Sequence, residues 1–257
     1  MTTFRVDELE VRIAGSRAAM GQAAAEAVYG AIVKVLKRKD AVNIMFAAAP
    51  SQNEFLDALA GMPVDWSRVK GFHMDEYIGL GLEARQGFGN FLREKLFGRV
   101  SMKEVFYMRD CETYSRLLEK NKMDIVVLGV GENTHLAFND PHVALFDDPE
   151  LVKVVQLDEA CRAQQVHDGC FAAMEEVPRQ AMTVTIPVLM RADYVIGVVP
   201  GKNKTWAVAR TLREKIVERF PSTILRVHPQ AVLFLDADSA RSVRSWLHGS
   251  GYLTSGQ

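Results

Sequence analysis

A histidine and a carboxylate stand five residues apart, as His135 and Asp140, in the stretch from Gly129 to Pro141. A histidine oriented by a carboxylate can move protons near neutral pH. The stretch follows Ile125-Val126-Val127-Leu128, an apolar run of buried-strand type, and two glycines at its exit allow a sharp turn and a close approach to a ligand. Asp75 and Glu76 follow a second apolar run, Val69 to His73. Successive side chains alternate, so one of the two acids points into any cleft there; two exposed surface acids are the alternative. Ser51, in Pro50-Ser51-Gln52-Asn53, opens a helix whose free N–H groups suit a phosphate, or is a plain helix cap. Lys204, in Pro200-Gly201-Lys202-Asn203-Lys204, can neutralise a phosphate dianion or be an ordinary surface lysine.

The elements that must position these groups are legible as periodic segments. Helices are expected over Ser16–Lys39, 53–59, Gly87–Leu96, 112–120, Glu159–Met174, Lys202–Glu214 and Ser239–Leu247. Strands are expected over Val42–Phe46, Val69–His73, 123–128, Val152–Leu157, Ala181–Ile186, Tyr194–Val199 and Ala231–Leu235. Their alternation argues an α/β fold, doubly wound, with a mostly parallel sheet and helices on both faces. In such a sheet the strand exits lie side by side along one edge, so distant residues share a pocket. No linker or repeat interrupts the chain, and a single domain over residues 1–257 is expected.

Composition narrows the function. A net charge of −1 gives no global basic field for nucleic acid. The run Lys34 to Lys39 reads as the basic end of a helix rather than a polyanion site. Three cysteines, Cys111, Cys161 and Cys170, form no CxxC pair and leave an odd count, which suits free thiols in a reducing compartment. No run approaches the roughly 18 apolar residues of a membrane span, and no signal-peptide pattern is seen, so a cytoplasmic location is expected. The six histidines are scattered without metal-ligand spacing. There is no Walker loop and no GxSxG elbow.

Taken together, Phe72-His73-Met74-Asp75-Glu76-Tyr77 and His135-Leu136-Ala137-Phe138-Asn139-Asp140-Pro141 resemble the glucosamine-6-phosphate deaminase (isomerase) family, a relative of 6-phosphogluconolactonase. Pro200 to Lys204 and the late Leu225-Arg226-Val227-His228-Pro229 fit in order, so the resemblance covers nearly the whole chain. It implies a Rossmann-like fold and a deaminating aldose–ketose isomerisation of a sugar phosphate, without metal or other cofactor. Asp75 would move the C2 proton, and His135 with Asp140 would open the sugar ring. Ala49, Ser51, Gln52, Glu76, Gly131, Asn133 and Lys204 would bind substrate. A homo-oligomer without nucleic-acid or membrane partners is the implied assembly. His-Leu-Ala-Phe-Asn favours the deaminase over the lactonase branch; a lactonase-like hydrolase and a non-catalytic phosphosugar sensor are the alternatives.

Three positions depart from the family pattern. Asn133-Thr134 replaces Asp-Gly before the histidine, and Ala48-Ala49-Pro50 replaces a glycine-containing phosphate turn. No arginine clearly matches the one the family places on the phosphate from the helix near 160–175; Arg162 either serves there or, the favoured reading, is a surface residue.

Overall fold

The computed structural model describes residues 1–81 and 83–243. Its elements in chain order are β1 (Thr2–Val6), β2 (Leu9–Ile13), α1 (Arg17–Leu36), β3 (Val42–Phe46), α2 (Asn53–Ala60), β4 (Val69–His73), β5 (Asp75–Tyr77) and α3 (Phe88–Leu92). There follow β6 (Glu104–Phe106), α4 (Cys111–Lys120), β7 (Ile125–Leu128), β8 (Val152–Gln156), α5 (Glu159–His167), β9 (Gln180–Val184) and α6 (Ile186–Met190). The last three are β10 (Tyr194–Val199), α7 (Thr205–Arg213) and β11 (Ala231–Leu235).

The main sheet runs β1-β2-β11-β10-β7-β3-β4-β6, parallel throughout except for β1, which pairs antiparallel with β2. Its central strands are buried on both faces, which is why they read as continuous apolar runs. The period of two divides their side chains between two cores. Ile125 and Val127 join α1 and α2 on one face, and Val126 and Leu128 join α4 and α7 on the other. From β3 the chain builds outward to β4 and β6; from β7 it builds the other way, to β10 and β11. The exits of β3 and β7 therefore flank the topological switch point, where open α/β sheets leave a crevice.

The first helix obeys its sequence signals: Ser16 caps α1 by accepting from the Ala19 N–H, and the Ala-rich face packs closely on α2. Elsewhere the structure corrects the sequence reading. β8 and β9 are strands, but they leave the parallel sheet and form a separate antiparallel sheet in the order β5-β9-β8. The hairpin β1–β2, the short strands β5 and β6 and the helix α6 add to the elements expected from the sequence. The helix expected to reach Met174 stops at His167, because Gly169 adopts φ +73° and the Cys170 N–H turns back to the Gln165 carbonyl. The Gly87–Leu96 helix is α3 followed by one π-helical turn, Arg93–Phe97. Of the helix expected at Ser239–Leu247, residues 244–247 lie outside the described residues. Among the described residues, no helix is long and apolar enough to cross a membrane.

Candidate active site

Four strand exits converge on one small, open cleft. The β3 exit contributes Ala49, Ser51 and Gln52, and the β4 exit contributes Asp75. Gly131 and His135 come from the β7 exit, and Lys204 from the β10 exit. Seven of the expected site residues thus share one cavity. Glu76 and Asn133 lie outside its wall, and Asp140 stands behind His135.

The histidine loop is built to fold back on the strand it leaves. The Gly131 N–H donates to the His135 carbonyl (2.9 Å), and the Thr134 N–H donates to the Gly131 carbonyl (2.9 Å). This turn lays the imidazole against Gly131 so closely that any Cβ there would overlap three ring atoms. The glycine is therefore needed for the ring position. His135 Nδ1 lies 3.0 Å from Asp140 Oδ1, within ion-pair reach but off the line of a straight hydrogen bond. Asp140 is fully buried. Burial alone would push its carboxyl up, but His135, the Asn133 amide and the Asp158 N–H together hold it below the usual carboxylate range.

Asp75 owes its place to the small sheet. Asp75 pairs in register with Thr183 on β9, and the Val184 N–H donates to the Met74 carbonyl (2.9 Å). The same β9 residues hold the histidine loop: Thr183 Oγ1 accepts from the Phe138 N–H (3.1 Å), and Asn139 Nδ2 donates to the Val184 carbonyl (2.8 Å). One strand thus ties the carboxylate segment to the imidazole segment. Tyr77, Phe88 and Phe138 pack as an aromatic floor with ring centroids 4.8–5.4 Å apart. Burial first, and the neighbouring Glu76 charge second, push the Asp75 carboxyl well above its ordinary range. A carboxylate so destabilised is a stronger base once ionised.

Glu76 points the other way. Its oxygens accept from the N–H groups of Tyr77 (2.9 Å), Phe88 (3.0 Å) and Gly89 (2.9 Å), so it caps the start of α3. Alternation along β5 sends one acid into the cleft and the other onto this helix end. Just upstream, burial lowers His73 to about 3, against a hydrogen bond to the Asp75 backbone that raises it. His73 is therefore neutral, and its Nδ1 accepts from the Met108 N–H (3.2 Å).

The anion end of the cleft is spare. Lys204 is 5% exposed and has no hydrogen-bond or ion-pair partner among the described residues. Burial lowers its pKa, while Asp168, Glu132 and Cys161 oppose the shift. Gly201, at φ +95° and held by the Asp236 carboxylate through its N–H (3.1 Å), turns the chain so that Lys204 faces inward. Gln52 spends its amide N–H groups on the Val198 carbonyl (3.1 Å) and Ser51 Oγ (3.1 Å), stitching the β3 exit to β10.

Arg162 is a correction to the sequence reading. It is buried rather than on the surface, and its guanidinium is taken up by the Met174 and Val177 carbonyls. The same helix instead presents Gln164 and Gln165 to the cleft, which sequence reasoning missed. Gln164 Oε1 accepts from the Glu132 N–H (2.8 Å). The Gln165 side chain, 4% exposed, has no partner among the described residues. The signal is their place beside Arg162 on the helix from which the family reaches the phosphate. Cys161, also on this helix, converges with His135 and Asp140, their polar atoms within 4.8 Å. Asp140 has both oxygens engaged by Asn133 and the Asp158 N–H, and burial, with the Asp140 and Asp158 charges beside it, pushes the Cys161 thiol well up, so it stands here as a thiol rather than a thiolate ligand.

Residues 15–234 match the family model described as glucosamine-6-phosphate isomerases/6-phosphogluconolactonase. Glucosamine-6-phosphate deaminases of Bacillus cereus (strain B4264) and Bacillus thuringiensis (strain Al Hakam) are each 30% identical over 223 residues, 84% of this chain and 83% of theirs. Among solved structures, a monomeric glucosamine-6-phosphate deaminase superposes with a TM-score of 0.81 at 22% identity, covering 90% of this chain and 98% of that one. The 6-phosphogluconolactonase of Thermotoga maritima gives 0.71 at 20% identity, covering 88% and 98%. These two likenesses bear on the fold alone. With a model match over most of its length and relatives at this identity, the chain belongs to the family of glucosamine-6-phosphate isomerases and 6-phosphogluconolactonases.

Proposed function

We propose that this chain, as one domain over residues 1–257, converts glucosamine 6-phosphate and water to fructose 6-phosphate and ammonia. The observation that carries the reading is the meeting of Asp75 and His135 in one cleft that also holds a buried, unpartnered Lys204. Lys204 and Ser51 would bind the phosphate, with the Gln165 amide within the same wall. His135, oriented by Asp140, would take the proton from the C1 hydroxyl and deliver one to the ring oxygen, opening the sugar. Asp75 would remove the proton from C2 to give an enolamine and return one to C1. Water adding to the resulting C2 imine would expel ammonia and leave the ketose. Each step needs a proton donor or acceptor within reach of one carbon or oxygen, and the residues supply that without a cofactor.

Departure at Asn133 does not remove the support of the imidazole, because Asp140 itself stands at Nδ1. This favours an active enzyme over a sensor. Action on a phosphorylated sugar fits a cytoplasmic location, and homo-oligomerisation belongs to the same reading. A coupled ammonia assay over hexosamine 6-phosphates, with lactone hydrolysis run beside it, is the test. Ammonia release from glucosamine 6-phosphate, reduced by about 10²–10⁴-fold in Asp75→Asn, is expected. Lactone hydrolysis without deamination, or no turnover of any amino sugar phosphate, overturns the reading.

A further inference from the structure

Behind His135 and Asp140 lies a second carboxylate that the mechanism above does not use. The Asn133 amide sits between the two. Its Nδ2 donates to Asp140 Oδ1 (3.0 Å) and to Asp158 Oδ2 (2.9 Å), while its Oδ1 accepts from the His135 N–H (3.1 Å). Both amide hydrogens and the carbonyl are thus spent inside the cluster, and the side chain does not line the cleft. Asp158 closes the ring from the other side. Its N–H donates to Asp140 Oδ2 (3.2 Å), and its Oδ1 caps α5 through the Cys161 N–H (2.6 Å).

We propose that Asn133 and Asp158 are a positioning pair for the His135–Asp140 couple, resting on the deaminase reading for its catalytic consequence. Asn133 is the neutral spacer that lets two carboxylates share one pocket. Only a planar side chain with two donors and one acceptor satisfies all three of its neighbours. An aspartate at this position would keep the bond from the His135 N–H but would offer no donor when ionised. It would also stand a third carboxylate against Asp140 and Asp158. The other titratable groups facing the cluster are His135, the Cys161 thiol, which lies against Asp140, and His142, whose ring reaches within 4.8 Å of both carboxylates. The pair explains why a neutral residue precedes this histidine: Asp158 already occupies the place of a second acid.

N133D, D158N and N133D/D158N test this in the full-length enzyme, with kcat, KM and melting temperature measured from pH 5 to 8. In N133D the added carboxyl resists ionisation, so the variant works near the acid end and fails as pH rises. An expected loss of about 10–100-fold in kcat at pH 8, with KM within about threefold, matches removal of a group that orients rather than touches. D158N keeps the helix cap through its one oxygen but turns an NH2 toward the Asn133 amide, donor against donor, so it too loses several-fold in kcat with KM kept. The double variant regains about tenfold over N133D at pH 8, since one like charge is gone. Should N133D melt below assay temperature, N133S, which is uncharged and loses one donor, carries the test with the same kcat-against-KM split.

A kcat and pH profile like the parent's in N133D, or a rise in KM with kcat kept, overturns the proposal. So does a double variant no better than N133D. If the parent enzyme turns over no amino sugar phosphate, the deaminase reading fails, but melting temperatures still decide the pair. N133D must lose stability relative to the parent as pH rises and recover it with D158N; a pH-independent difference refutes the pairing.

Discussion

Gly131→Ala is the sharpest test of how the imidazole is held. A Cβ at this position would fall less than 3.0 Å from Cε1, Nε2 and Cδ2 of His135. Ordinary carbon contacts lie near 3.5–4.0 Å, so the ring must move by at least about 1 Å. It has little room to do so. His135 is buried, its own carbonyl is bonded to the Gly131 N–H, and its Nδ1 sits 3.0 Å from Asp140 in a fully buried pocket. A misplacement of about 1 Å costs about 10²-fold in rate, or about 2.7 kcal/mol in barrier height. Overpacking of the site adds a stability loss of about 1–3 kcal/mol, which lowers Tm by about 2–4 °C per kcal/mol in a chain of this size. The assay is ammonia release from glucosamine 6-phosphate at neutral pH, paired with calorimetric melting. Gly129→Ala is the internal control, because its nearest contact would be Gln52 Nε2 at 3.3 Å, a distance a small side-chain adjustment absorbs. G131A with kcat within threefold of the parent and an unchanged Tm would refute the claim that the Gly131 contact fixes the ring.

Two other perturbations separate stability from activity. Thr134 adopts φ +76° and buries a hydroxyl with no hydrogen-bond partner. Thr134→Gly relieves about 1–2 kcal/mol of left-handed strain against about 0.8 kcal/mol of lost methyl burial. A gain of about 0.2–1.2 kcal/mol in urea unfolding is expected, and a loss above about 1 kcal/mol would show that the methyl packing dominates. Asp75, whose folded pKa is raised, binds its proton more tightly in the folded state than in the unfolded chain. Stability is therefore lost as pH climbs from about 3.9 toward the raised value. Asp75→Asn should melt above the parent at pH 7 and coincide with it below about pH 4, while turnover is lost; equal melting at pH 7 would contradict the burial argument.

Much of the architecture was legible because the main sheet is simple in sequence. β3, β4, β7, β10 and β11 are short apolar runs, and the expected bounds of each agree with the structure within a few residues. The second sheet was not legible as such. β8 and β9 have the same apolar look as parallel strands, and which sheet a strand joins is set by partners remote in sequence. β5 and β6, at three residues each, are too short to carry a period. Arg162 was misjudged for a related reason. An arginine at the start of a polar helix looks solvated until the Met174–Val177 turn is seen to fold over it.

By itself the chain determined the chemistry available. Asp75, His135, Asp140, Ser51 and Lys204 stand at strand exits that a doubly wound sheet must bring to one edge, and motif order identifies the family from residue types alone. Tertiary structure decided which groups face the substrate and which hold others in place. Glu76 turned out to cap a helix, Asn133 to bridge two carboxylates, and Gln165 to enter the cleft. The placing of Asp75 and Glu76 against the histidine loop depends on β9, whose Thr183 and Val184 bind both segments. Hydrogen bonds between segments more than forty residues apart leave no local pattern, so neighbouring side chains in the sequence cannot reveal them.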